Sequence, residues 1–450
     1  MTKMKGNKTE TWGDIDAALE NPHSVITSVD TKLVYDQEKD RFEAVMVGDV
    51  NAFPEGLSLQ SNWDETGDLV RKTAEALVDQ VPGENPAVVV NKPGHVYNSD
   101  NSAIIRGKND IIDEIERLVD ETYEVMDGQG LKSTEDNSEL QVDGQPVDGY
   151  ANISDRATGL DSISNNHVER GAQAPTAVWN TEIPQTGKIG LLNTAESVTA
   201  ETENVHTPDF FTVESPEEIV DYFEQGNSVV LKADQYGTHG DDIVSLDWDE
   251  YQTALNRGWI GSELEHTKGL IDSPLDYIET KIENEERRVQ AKGNRPDDFK
   301  LYEDGEFKGP GPGLVEEAVA GEYSIDGNTY TVVDRDDQPI DFVPVTIYNP
   351  ETGEAKTESQ LVRASATEDL NANRGFANFD PKHVKYAWEQ GFDDVYEDGS
   401  GALQDTLEEI AGRSVRLEDE ILPVLEEAGQ AAYRTRNASS YNALDGREAA

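Results

Sequence analysis

Asp and Glu outnumber Lys and Arg by 92 to 37, which puts a formal net charge of −55 on 450 residues. Self-repulsion on that scale works against any compact state. Two outcomes are open to such a chain. One is disorder, because high charge with low hydrophobicity cannot build a core. The other is a fold whose acidic surface is screened by molar salt, where the Debye length is only about 3 Å. The pattern selects the second. The acids are spread along the whole chain and not gathered in a tail. Between them lie apolar runs such as Ser228-Val229-Val230-Leu231 and Phe342-Val343-Pro344-Val345, and six Trp with 16 Tyr supply material for a packed interior. The reading is a folded protein from a salt-loving host.

The same charge limits partners. Direct contact with nucleic acid needs Lys and Arg to neutralise phosphates, and no basic stripe is present, so none is expected. The chain has no cysteine, which removes disulfides and thiolate metal sites. Met1-Thr2-Lys3-Met4-Lys5-Gly6 is polar and leads into no apolar segment, so no signal peptide is expected. No stretch approaches the ~20 apolar residues of a membrane span. A high-salt cytoplasm is the expected setting, with a virus particle as the other one open.

Periodicity places the elements. Val25 to Val29 and Phe42 to Val47 predict a hairpin around a polar turn at Asp36 to Asp40. Helical spacing predicts a helix over 66–81 and another over 109–126, striped by Ile112, Ile115, Leu118, Val119 and Tyr123. Ala87 to Val90 reads as a buried strand ending in an Asn91-Lys92-Pro93-Gly94 turn. From about Gly128 to Ala174 the chain is polar and reads as a long loop. Strands at 177–180, 210–213 and 229–232 follow, with a helix at 216–225. A β-rich region then covers 314–333 and 340–348. Helices are expected over 403–410 and 417–432, with fraying from about Asn437.

The stretch that carries chemistry is Thr207-Pro208-Asp209-Phe210-Phe211-Thr212-Val213, then a helix, then a strand ending at Lys232 and a loop Ala233-Asp234-Gln235-Tyr236-Gly237-Thr238-His239-Gly240. A Lys at the end of a buried strand is costly without an anionic partner. Gly237 and Gly240 would let backbone N–H groups turn toward a phosphate. On these residues alone, a nucleotide phosphate site and a surface Lys before an ordinary turn are equally open. The seven His show no metal-ligand spacing, and no nucleophile–base motif is found.

The order of these elements resembles the ATP-grasp family. Asn180 and Gly187-Lys188 resemble its early phosphate-contacting segment. Val205-His206-Thr207-Pro208 resembles the entry to its first core strand, Lys232 its second phosphate-contacting Lys, and 235–240 its closing glycine loop. Gly313-Leu314-Val315-Glu316-Glu317-Ala318-Val319-Ala320-Gly321-Glu322 resembles its adenine hinge. The resemblance implies that the backbone over Glu317 to Val319 meets the adenine edge. It also implies that Glu316 lies near the amino group and that Glu322 accepts from the ribose hydroxyls. Without that context, the hinge reads as an edge strand with solvated carboxylates. The family's late Glu–x–Asn metal pair is matched by Asp369-Leu370-Asn371, and its phosphate-binding Arg by Arg363, with Asp341 as the candidate for the other acidic ligand. Asp369 to Asn373 can equally be read as a polar loop.

The resemblance implies an α/β (α+β) fold: an ATP-grasp core of two α+β subdomains, an N-terminal α/β domain and a helical C-terminal tail. The division runs 1–65 (hairpin region), 66–176 (substrate-side domain with linker), 177–312 (first subdomain, with an acidic insertion at 246–308), 313–385 (second subdomain) and 386–450 (helical segment). The insertion either caps the site or decorates the surface. The implied cofactors are ATP and Mg2+. The implied reaction activates a carboxylate as an acyl phosphate for attack by an amine, with Lys232 and Arg363 in catalysis. The partners would be small-molecule or peptide carboxylates and amines, and a homo-oligomer is the family's habit. The other reading is a non-catalytic viral or plasmid-encoded structural protein with the same fold.

Overall fold

A computed structural model describes residues 24–51, 53, 57–58, 67–81, 83, 86–97, 102–133, 140–153, 177–179, 188–233, 243–257, 271–292, 300–303, 306–307, 313–325, 328–335, 338–349, 352–365, 373–380, 383–388, 396–398 and 400–445. Strands β1 (Ile26–Asp36) and β2 (Arg41–Asn51) form the expected hairpin, longer than its apolar runs. The Asp36 carboxylate fixes the turn by accepting the N–H groups of Glu38 and Lys39, at 2.9 and 3.1 Å. Asp40 completes it with a φ of 53°, which Asp tolerates better than most side chains.

A parallel layer follows. Helix α1 (Asp68–Val78) buries Ala74, Leu77 and Val78. In β3 (Ala87–Lys92), Val88 and Val90 face one cluster and Val89 another, the two-sided burial of a parallel strand between layers. The helix expected at 109–126 is displaced: α2 spans Ser102–Leu118, and Glu121–Met126 is a strand, β4. Val119 and Tyr123 satisfy a helical spacing, but β4 pairs with β3 residue for residue from Ala87↔Glu121 to Lys92↔Met126. The ladder on that edge outweighs local periodicity. The stretch expected as loop also holds structure, with three-residue strands at Leu131–Ser133, Leu140–Val142 and Gln145–Val147, then β5 (Gly149–Asn152). Runs of three residues are too short to show alternation. With β6 (Ala177–Trp179) the parallel order is β4–β3–β5–β6.

The next layer begins with α3 (Lys188–Thr199), β7 (Val205–His206), β8 (Phe210–Val213), α4 (Glu217–Phe223), β9 (Val229–Ala233) and β10 (Ile243–Leu246). Helices α5 (Trp248–Arg257) and α6 (Pro274–Lys292) precede β11 (Gly313–Glu317). Strands β8, β11, β9 and β10 make a four-stranded sheet in that order. The described part of the acidic insertion is more than decoration. Tyr251, Ala254, Tyr277, Ile278 and Ile282 complete this sheet's core, and Tyr277 stacks on Phe223 at 5.5 Å.

The large sheet uses both ends of the chain. After β12 (Glu322–Ile325) and β13 (Asn328–Val332) come β14 (Gln338–Asn349), β15 (Glu354–Ser365), β16 (Asn373–Asp380), β17 (His383–Trp388) and β18 (Tyr396–Asp398). The order is β7–β2–β1–β14–β15–β16–β17–β18, so the N-terminal hairpin lies inside a sheet built mostly from residues past 337. Helices α7 (Ser400–Ala411) and α8 (Leu422–Asp445) follow. Leu425, Ala428, Ala431 and Ala432 pack with Val29, Leu33 and Phe342 in one cluster. Fraying from Asn437 is not what is found. Asn437 is fully buried, and its side chain accepts from the Ser24 N–H at 3.0 Å and donates to the Ser24 carbonyl at 3.1 Å.

Gly429 sets how closely α8 sits on the sheet. A Cβ there would stand 2.5 Å from the hydroxyls of both Thr346 and Thr357. Gly429→Ala is therefore expected to cost about 1–3 kcal/mol by overpacking, despite the higher helix propensity of Ala. Urea unfolding in high salt measures it, and a stabilised variant would contradict this packing.

Candidate functional site

Lys232 and Glu316 are brought together by strand register. Lys232 pairs with Leu314, and Val230 with Glu316, across antiparallel β9 and β11. Residues two apart on facing strands share a face and are diagonal neighbours. The Lys232 ammonium lies 2.7 Å from the Glu316 carboxylate, and both are buried. A buried pair is held at a desolvation cost that its attraction only partly offsets.

The same ammonium also donates to the Val47 carbonyl at 3.0 Å. This contact is possible because β7 covers β2 only at Ala44 and Val45. Beyond that point the β2 edge has backbone groups to offer. Lys232 thus bridges the four-stranded sheet to the large one.

Lys188 opens helix α3 and is buried. A cation at a helix N-terminus opposes the macrodipole, whose positive end favours anions. Lys188 and Glu316 line one cavity of about 10 Å3 with Met46, Val50, Leu191, Leu192 and Ala195, room for about one water. Two lysines and one carboxylate at this seam suit an anion better than a cation.

The 313–322 segment adjoins this pair, since Glu316 belongs to it. The N–H groups of Glu317 and Ala318 donate to the carbonyls of Asp209 and Ser228, at 2.8 and 2.9 Å. Val319 is buried among Val34, Val45, Tyr323 and Tyr330. Burial pushes the Tyr323 and Tyr222 phenols up, and the carboxylates of Glu317 and Asp209 push the same way, so both stay protonated. Glu322 is exposed at the start of β12.

Lys232 therefore pairs with Glu316, Lys188 lines a cavity with the same residue, and Glu317 and Val319 follow in the chain. Arg363 lies across from Asp341 in the β14–β15 register. Asp341 is buried and ion-paired to Lys32 at 3.0 Å. Gly237, Gly240, Asp369 and Asn371 fall outside the described residues. Among the described residues no group of three or more His, Asp or Glu could hold a metal ion. No described helix is long and apolar enough to cross a membrane.

Sequence reasoning did not find Glu43. It is fully buried on β2 and accepts from Lys39 at 2.9 Å, Arg41 at 2.8 Å and His206 at 2.8 Å. Burial alone would raise its carboxyl, but the hydrogen bonds from His206, Lys39 and Arg41 win and push it down to about 2. Its one sequence signal is an acid at an inward position of the hairpin.

No protein-family model matches the sequence, and no curated protein matches it. Solved structures do. A protein of Methylobacillus flagellatus KT, named as a gamma-glutamylcysteine synthetase, superposes with a TM-score of 0.50 at 11% identity, over 96% of this chain and 92% of that one. What is shared is the fold. This chain is a mixed α/β protein with an ATP-grasp-like fold and a helical C-terminal tail. Two further structures match more loosely. A glutathione synthetase-like effector from Globodera pallida gives a TM-score of 0.34 at 12% identity, over 78% of this chain and 77% of that one. The ATP-grasp ligase PsnB, complexed with a minimal precursor, gives 0.28 at 13%, over 78% of this chain and 99% of that one.

Proposed function

We propose that this chain is an ATP-dependent ligase that activates a carboxylate for attack by an amine. The observation that carries the reading is the pairing of Lys232 with Glu316 at the seam between two sheets, where Glu316 also lines a cavity with Lys188. Polyanionic phosphates would be held there by Lys188 and Lys232, with Val319 against the base. A carboxylate oxygen attacks the γ-phosphorus, the bond to the β-phosphate bridging oxygen breaks, and ADP leaves. The amine nitrogen then attacks the acyl carbon, gives up a proton, and expels phosphate. Burial of the seam keeps water from the acyl phosphate. The synthetase name of the M. flagellatus structure, which shares the fold over nearly the whole chain, supports the assignment.

A cavity of about 10 Å3 holds no nucleotide, so binding must part the sheets at the Lys232–Val47 contact. Magnesium would screen the phosphates as a hard cation with oxygen ligands. Of its expected ligands, Asp369 and Asn371 lie outside the described residues, and the Asp341 carboxylate is held by Lys32.

Thermal unfolding in multimolar KCl, with and without Mg-ATP, tests the reading. Ligand at about 100 Kd stabilises by about 2.7 kcal/mol, a clear rise in Tm. A folded protein whose Tm ignores Mg-ATP would leave a structural protein with this fold as the better account.

A further inference from the structure

Two of the three N–H groups from Glu317 to Val319 are committed within the protein, one to each neighbouring strand. Glu317 donates to the Asp209 carbonyl, just before β8, and Ala318 to the Ser228 carbonyl, just before β9. The Val319 N–H has no backbone partner among the described residues. Whatever holds Ser228 therefore helps to set how the next N–H is presented. Ser228 is held by the acidic insertion. A helix begins with backbone N–H groups that have no partner inside it. Trp248 opens α5, and its N–H donates to the Ser228 hydroxyl at 3.1 Å. Asp247 caps the same helix by accepting the Glu250 N–H at 2.7 Å, the usual work of an N-cap acid. Its other carboxylate oxygen accepts from the Ser228 hydroxyl at 3.4 Å. In a capping box the acid three residues on reaches back to the N–H of the cap. Here Glu250 does so through a phenol. The Tyr277 hydroxyl accepts the Asp247 N–H at 3.2 Å and donates to the Glu250 carboxylate at 2.9 Å, and the Lys281 ammonium donates to the same oxygen at 2.8 Å. Tyr277 is fully buried on α6. An unbroken path thus runs from α6 through Asp247 and Ser228 to Ala318.

We propose that Ser228 is a positioning residue for the nucleotide base, and that helices α5 and α6 act on the base end of the site through it. The inference rests on the ligase reading, which puts a base against Val319 and phosphates at Lys188 and Lys232. The insertion then braces the 317–319 segment at one of its two anchor points, and its sequence serves the site without touching the ligand. The two ends of the site are held by different groups. The Lys232 ammonium is fixed by Glu316 and by the Val47 carbonyl, and neither belongs to the path through Tyr277, Asp247 and Ser228. Loss of the Ser228 hydroxyl loosens the grip on the base and leaves the phosphate contacts in place.

The test measures the affinity of the full chain, in high KCl with Mg2+, for ATP and for inorganic tripolyphosphate, which has no base. Ser228→Ala keeps the carbonyl and removes the hydroxyl. One hydrogen bond is worth about a fivefold change in affinity, so the Kd for ATP should rise about fivefold while that for tripolyphosphate stays the same. The unchanged tripolyphosphate affinity also shows that the variant is folded. Tyr277→Phe removes the far hydroxyl of the same path and should weaken ATP in the same sense. The double variant should bind ATP no worse than the weaker of the two single variants, because groups on one path are not additive. Equal weakening of ATP and tripolyphosphate would make Ser228 a residue of general stability and overturn the proposal. So would an ATP affinity that ignores both variants, losses that add in the double variant, or a wild type that binds ATP no better than tripolyphosphate. If the wild type binds ATP alone, Tm takes the place of the second ligand: weaker ATP binding by Ser228→Ala at unchanged Tm supports the proposal, and any other result overturns it. A wild type that binds neither ligand sinks the ligase reading, and the proposal with it. A wild type that binds both, with variants that disobey, sinks the proposal and leaves the ligase reading standing.

Discussion

Lys232→Met is expected to abolish stabilisation by Mg-ATP and to weaken the fold as well. The two effects have different causes and can be separated. Removing the ammonium takes from the buried Glu316 carboxylate the cation that now lies 2.7 Å from it. Breaking a buried pair on one side costs about 3–5 kcal/mol. The double variant Lys232→Met/Glu316→Gln removes both charges and should recover most of that loss, since replacing both partners is close to neutral. It should still show no rise in Tm with Mg-ATP. A double variant that responds to ATP like the wild type would remove Lys232 from the phosphate site. Glu316→Gln alone discriminates further. In the ATP-free protein Glu316 occupies the ammonium that phosphate would use, so its loss should leave ATP binding as tight or tighter. Weaker binding would instead place Glu316 at the base, as the resemblance implies.

Glu43→Gln should destabilise the protein by roughly 3 kcal/mol at neutral pH. Its carboxyl falls from an ordinary 4.5 to about 2 in the fold, and a shift of that size corresponds to roughly 3 kcal/mol. The folded value lies below the unfolded one, so this stabilisation is whole above about pH 5 and disappears as pH falls through 2. The gap between wild type and Glu43→Gln should therefore close over that range, measured by denaturant unfolding at fixed high salt. A gap that is constant with pH would mean that Glu43 acts through packing and not through its charge.

Lys232 could be read from its local sequence, while Lys188 and the 313–322 segment were read from the resemblance in element order. Lys232 ends a run of apolar residues, and Glu316 sits two residues from its partner's register across one sheet. Local signals also gave α4, β8 and β9 nearly to the residue. What was hidden depends on pairing at a distance. The hairpin at 24–48 could be read, but nothing in it says that β14 lies beside β1. β4 was mistaken for the end of a helix because Val119 and Tyr123 suit either period until β3 offers an edge. The end of α8 reads as a frayed tail because its alanines and Arg436 show no amphipathic stripe; its burial comes from Ser24 and Val50, about four hundred residues earlier. Glu43 looked like one more surface acid in a chain full of them.

The bond between Ser24 and Asn437 spans 413 positions, and it has a consequence for how the molecule is made. β1 and β2 leave the ribosome well before β14 and α8, which cover them and follow some three to four hundred residues later. Domains fold as units as they emerge, and contacts of long separation are slow to form. During translation the hairpin must wait with open edges while the parallel layer and the four-stranded sheet can already close. The acidic flanks that keep nascent chains apart in dilute buffer are screened in molar salt. In molar salt this protein should therefore be most open to aggregation, and most dependent on chaperones, in the interval before α8 is released.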